Sequence, residues 1–120
     1  MNDFNQFKNN GFLVKKNLIN QKEINKINKI VNEIISKEKQ KKRSDTQNRT
    51  QSYDNYHFVY NSNSSKNKEI LRLNNPQNRH KIFYQLSRNK KIISIAKKLL
   101  GGTVRFHLGK LNFKLPNKKK

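Results

Sequence analysis

The sequence predicts a small α+β domain, and three patterns carry that reading. Ile24, Ile27, Ile30, Val31, Ile34 and Ile35 recur at three- and four-residue spacing, the apolar stripe of one long helix. Ile92, Ile93, Ile95, Ala96, Leu99 and Leu100 repeat that pattern over a shorter stretch, which Gly101-Gly102 stops. Between the two, Tyr56, Phe58 and Tyr60 alternate with His57 and Val59, the two-residue period of a strand. The chain has 120 residues, enough for one modest domain. Leu, Ile, Val and Phe fill 32 of those positions. That share stays above the roughly 20% at which disorder becomes the default, so the chain can fold, around a thin core.

The elements follow in order. Asp3 to Lys8 places Phe4 and Phe7 on one face of a short helix, which Asn9-Asn10-Gly11 breaks. Phe12-Leu13-Val14 reads as a short buried strand closed by Lys15-Lys16. The long helix runs from about Gln21 to Glu38, with Asn20 as its cap, Glu23 completing a capping box and Ile19 stapling onto Ile24. Lys39 to Ser52 is polar and reads as a solvated loop whose cations suit a helix C-terminus. Tyr53 to Tyr60 reads as a strand and Asn61 to Asn67 as a loop. Glu69 to Leu73 is a second short strand or extended segment. After Asn75-Pro76, Arg79 to Leu86 is helical with Ile82, Phe83 and Leu86 inward, and a further helix covers Lys90 to Leu100. Thr103 to Lys114 reads as one long strand, with a bulge at Gly109 where the apolar phase slips.

Several function classes drop out on composition. There is no cysteine, hence no disulfide framework, thiolate zinc site or cysteine nucleophile. No apolar run approaches the roughly 18 residues of a membrane span. The residues from Met1 to Asn5 lack a basic region followed by an apolar stretch, so no secretory signal is expected. The expectation is a soluble cytoplasmic protein with no membrane partner. For the long helix in particular, the aromatic anchors of a membrane-surface helix are missing.

A net charge of +21 invites a nucleic-acid reading. Yet Lys, Asn and Ile fill 53 of the 120 positions, while Ala occurs once and Arg six times. That is the imprint of A/T-rich codons, and a phosphate-gripping protein would favour the planar fork of Arg. Lys is also spread along the whole chain instead of clustering among exposed aromatics.

Three blocks point to a family. Asn10-Gly11-Phe12-Leu13-Val14 followed by Leu18-Ile19-Asn20-Gln21-Lys22-Glu23-Ile24 resembles the opening of the phytanoyl-CoA dioxygenase family, N-G-F-L-V then L-(S/T)-x-x-E-I. Ile92 to Gly102 resembles its L-x-x-I-x-x-x-L-L-G, and Leu111-Asn112-Phe113-Lys114-Leu115-Pro116 its L-x-x-K-x-P. The blocks occur in the family's order. The resemblance implies that residues 1–116 are the N-terminal part of such a domain, with residues 117–120 a disordered basic tail. It implies the helices and first strands of a double-stranded β-helix (a cupin-like jelly roll), incomplete here.

It also implies chemistry: members are non-haem Fe(II), 2-oxoglutarate-dependent oxygenases. Their iron is held by an H-x-D pair and a distal His, a facial triad with open positions. In the family the H-x-D follows shortly after the K-x-P block, whereas this chain stops six residues after Lys114. No histidine here has a carboxylate two positions on: Val59 follows His57, Ile82 follows His80 and Gly109 follows His107. His57 and His107 read as ordinary sheet histidines and His80 as a residue on a helix surface. No catalytic or metal-ligating residue is therefore expected, and no cofactor is expected for this chain alone, although an intact relative would use Fe(II) and 2-oxoglutarate. By the resemblance, a cosubstrate pocket would draw on Arg72 and Lys110, against the plain alternative of solvated cations at strand ends. The expected partner is the missing C-terminal half of an oxygenase domain. A small basic nucleic-acid-binding module is the alternative, and a remnant that pairs the edge of the 103–114 strand with another polypeptide is a third reading.

Overall fold

The computed structural model describes residues 2–40, 56–60 and 69–114. The expectations for the polar run beyond residue 40, the strand start at Tyr53, the loop from Asn61 to Asn67, Leu115-Pro116 and the tail lie outside those residues. In chain order the elements are α1 (Asp3–Asn10), α2 (Gln21–Lys39), β1 (His57–Tyr60), β2 (Ile70–Asn74), a single 3-10 turn (Pro76–Asn78), α3 (Lys81–Ser87), α4 (Lys90–Leu100) and β3 (Lys110–Asn112). They fall into two compact units, one of Met1–Ser36 with Arg88–Phe106, the other of Lys37–Ser87 with His107–Lys120. No described helix is long and apolar enough to cross a membrane.

The first unit is helical, and its helices begin and end where the sequence carries caps. The Asn5 N–H donates to Asn2 Oδ1 at 2.8 Å, and Gly11, at φ 76°, closes α1 by donating its N–H to the Phe7 carbonyl at 2.8 Å. The helix thus runs two residues past the expected Lys8. Asn20 caps α2 as expected, accepting from the Glu23 N–H at 2.9 Å. Asn89 caps α4 twice over, accepting from Lys91 N–H at 3.0 Å and Ile92 N–H at 3.2 Å. Along the α2 stripe Ile34 is buried and Ile27, Ile30, Val31 and Ile35 are half-buried. α1 packs against α4. Phe12-Leu13-Val14 corrects the sequence reading: it forms no strand, and Phe12 and Val14 stand exposed. No strand among the described residues lies beside these three, so they have no ladder to join.

The second unit is built on a three-stranded antiparallel sheet in the order β1-β2-β3. Phe58 pairs with Leu73 and Leu73 with Leu111, so these three side chains share one face. Leu73 is wholly buried there. Next to Val59 the register slips, so that Tyr60 pairs with Ile70 and Leu71 is the extra residue. The slip places Ile70, three residues from Leu73, among the buried side chains, while Leu71 remains partly exposed. The bulge lies here and not at Gly109.

The long strand expected from Thr103 to Lys114 is reduced to Lys110–Asn112. The reason lies across the ladder. β2 ends at Asn74, Asn75 turns left-handed at φ 50°, and Pro76 has no N–H to offer. The Asn75 N–H makes the last bond, to the Gly109 carbonyl at 2.8 Å. Among the described residues, no strand lies beside those before Gly109. The described residues hold this one sheet, and the second layer of a jelly roll has no counterpart among them.

Candidate anion-binding face

Strand pairing fixes what the sheet shows on its other face. Arg72 lies between Val59 and Asn112, and Asn74 between His57 and Lys110. Directly paired residues project to the same side. His57, Val59, Arg72, Asn74, Lys110 and Asn112 therefore form one face, polar except for Val59. The two residues that the resemblance singles out, Arg72 and Lys110, meet on it one diagonal step apart, roughly 7–8 Å along the sheet. Long, flexible side chains at that spacing can reach a single anion.

The interior of this face is not fully satisfied. Asn74 is buried, and its Nδ2 lies 2.8 Å from Nε2 of His57. Asn74 Oδ1 has no partner among the described residues, and neither has the buried Nε of Arg72. A guanidinium N–H shut away from water without an acceptor is costly, more so than a neutral donor. Arg72 is half-buried and Lys110 exposed, so the pair grades from the sheet's interior to its rim. Such an arrangement suits a carboxylate or phosphate oxygen, which Arg can grip in a planar fork and Lys can approach as a point charge.

The opposite face is aromatic and closed. Tyr56 meets Phe58 edge-on at 5.8 Å, and Phe58 lies 6.3 Å from Tyr60. His80, expected on a helix surface, instead sits half-buried just ahead of α3. Its ring is 5.6 Å from that of Tyr56 and 6.0 Å from that of Phe83, and the Tyr56 hydroxyl lies 3.1 Å from its Nε2. Burial holds the His80 pKa below its usual value, with the Arg79 and Lys37 charges adding to the effect. Burial likewise raises that of Tyr56, reinforced by Glu38 and opposed by Arg79. Glu38, buried near the end of α2, accepts a hydrogen bond from the Tyr60 hydroxyl.

The three histidines do not converge. His57 is on the polar face and His80 on the aromatic side, while His107, expected in a strand, is exposed outside one. Among the described residues no three His, Cys, Asp or Glu side chains are grouped to hold a metal ion. The orphaned Arg72 Nε–H leaves a buried donor open to an acceptor oxygen.

Sequence reasoning missed the His57–Asn74 pair, the Tyr56–His80 contact and the Tyr60–Glu38 bond. Each joins residues 17 to 24 positions apart in the sequence, and only the alternation of Tyr56, Phe58 and Tyr60 hinted that one side of β1 would be packed. Compared with protein-family models, curated proteins and solved structures, the chain matches none.

Proposed function

We propose that this chain is the N-terminal part of a non-haem Fe(II), 2-oxoglutarate-dependent dioxygenase of the phytanoyl-CoA dioxygenase type, inactive as an oxygenase by itself. The observation that carries the reading is the meeting of Arg72 and Lys110 on one sheet face, with the Arg72 Nε buried and lacking an acceptor. Arg72 would bind a carboxylate of the cosubstrate and Lys110 would add charge at the rim. When bound in such enzymes, 2-oxoglutarate supplies the electrons that activate O2, and the metal ligands would come from a separate C-terminal half. A cytoplasmic location goes with this reading.

The test is calorimetric titration of the 120-residue chain with 2-oxoglutarate, alongside Arg72→Gln and Lys110→Gln. Saturable binding at one site, weakened by both substitutions and without succinate release when Fe(II) and O2 are added, supports the proposal. Binding that Arg72→Gln leaves unchanged contradicts the pocket, and turnover by the wild-type chain contradicts the incomplete active site.

The basic nucleic-acid module is the second reading, and the +21 charge favours it. A salt titration separates the two: affinity that vanishes by counterion release alone, with no preference for any sequence or structure, speaks only of charge.

A further inference from the structure

The helix α4 carries a chemistry that the oxygenase reading does not use. At about 100° per residue, Ile92, Ile93, Ile95, Ala96, Leu99 and Leu100 occupy one arc of roughly 160°. Lys90, Lys91, Lys97 and Lys98 occupy the remainder with Ser94, and the helix holds no acid. Within the arc Ile93, Ile95, Ala96 and Leu99 are half-buried, while Ile92 is 37% exposed and Leu100 69%. The same unit leaves aromatic and branched side chains in water on α1 and just beyond it, namely Phe4, Phe12 and Val14. Phe12 and Val14 are flanked by Lys15 and Lys16, and α1 itself packs on α4.

We propose that the exposed side of α4, with Ile92, Leu100 and its lysines, forms with the exposed phenylalanines of α1 and its following segment a peripheral docking surface for an anionic lipid bilayer. Charge complementarity names the occupant. A lysine-rich polar arc opposite an apolar one, with phenylalanine anchors beside it, is the composition of helices that lie in the plane of a membrane interface. Lysines flanking such a face are drawn to acidic headgroups. Protein interfaces, by contrast, are depleted in Lys, so this rim argues against a polypeptide occupant. The aromatic anchors that α2 lacks are supplied by the α1 region. In the sequence no span, no signal and no anchored α2 point to a membrane; the proposed surface is of another kind, a peripheral one on α4. The proposal is independent of the oxygenase reading.

The chain has no tryptophan, so Phe12→Trp gives a single reporter at a 62% exposed site. Mixed with phosphatidylcholine vesicles containing roughly one-third phosphatidylserine, it should shift its emission to the blue and be quenched by brominated acyl chains. Pure phosphatidylcholine should give little of either. Adding Ile92→Asn and Leu100→Asn, which keep the charge, should weaken partitioning about tenfold or more, with circular dichroism confirming that the helices persist. Three results overturn the proposal: no blue shift with anionic vesicles, equal partitioning by the Asn variants (attraction by charge alone), or a shift produced by polyglutamate and not by vesicles.

Discussion

Arg72 and Lys110 stand on the same face of the antiparallel sheet, one diagonal step apart, because Arg72 pairs with Asn112 and Lys110 with Asn74. The relationship depends on a single register. A slip of one residue between β2 and β3 would send Lys110 to the aromatic side, away from Arg72. Two features hold the register: the Leu73–Leu111 pair inside the sheet and the Asn75-to-Gly109 bond at its end. The stability of the core and the geometry of the candidate site are therefore one question.

Leu73 is the first place to ask it. Its side chain is wholly buried between Phe58 and Leu111. Leu73→Ala should cost about 2–5 kcal/mol, the range for emptying a core leucine site. Leu71→Ala, at the bulge and partly exposed, should cost about 0.5 kcal/mol or less. Urea unfolding followed by the near-ultraviolet signal of the tyrosines measures both.

Asn75 tests the corner that ends β2. Its φ of 50° strains any side chain except those of Gly, Asn and Asp. Asn75→Ala should lower stability by about 1–2 kcal/mol through the backbone. Asn75→Gly relieves that strain while giving up the bond accepted from Gln77, so it should fall closer to wild type. Equal losses in the two variants would mean that the side chain, not the backbone, matters.

His80 gives a pH dependence with a definite sign. Burial, aided by Arg79 and Lys37, keeps its folded pKa below the unfolded value of about 6.5. Between the two values the unfolded chain binds more protons, so stability falls as the pH drops through about 6.5 and levels off once the folded pKa is passed. Above that window His80 is neutral in both states and contributes no slope. His80→Gln should flatten this part of the urea-midpoint profile relative to wild type, and parallel profiles would contradict the assignment.

Much of the fold is legible in the sequence, for identifiable reasons. α2 and α4 announce themselves by isoleucine stripes and by Asn20 and Gly101 at their ends, all of them local signals. Arg72 and Lys110 are nameable from the resemblance, but their shared face is not, because register is a property of two strands and a connection. The expected 103–114 strand fails for the same kind of reason. Val104, Phe106 and Leu108 have the right alternation, yet β2 offers five residues and then a proline corner, so the pairing runs only from Gly109, which accepts from Asn75, to Phe113, which donates to Leu71. Phe12-Leu13-Val14 is apolar enough for a strand and lacks a neighbour. His80 looked like a helix-surface residue because nothing local revealed the ring of Tyr56, which is 24 positions away.

Nuclear magnetic resonance on the Nε–Hε group of Arg72 reports whether this sheet face receives a carboxylate there. The Arg72 Hε signal should move downfield and saturate as 2-oxoglutarate is added, with the amides of Lys110 and Asn112 shifting along the same isotherm. An Arg72 signal that stays in place while signals elsewhere in the chain respond would contradict a carboxylate site there.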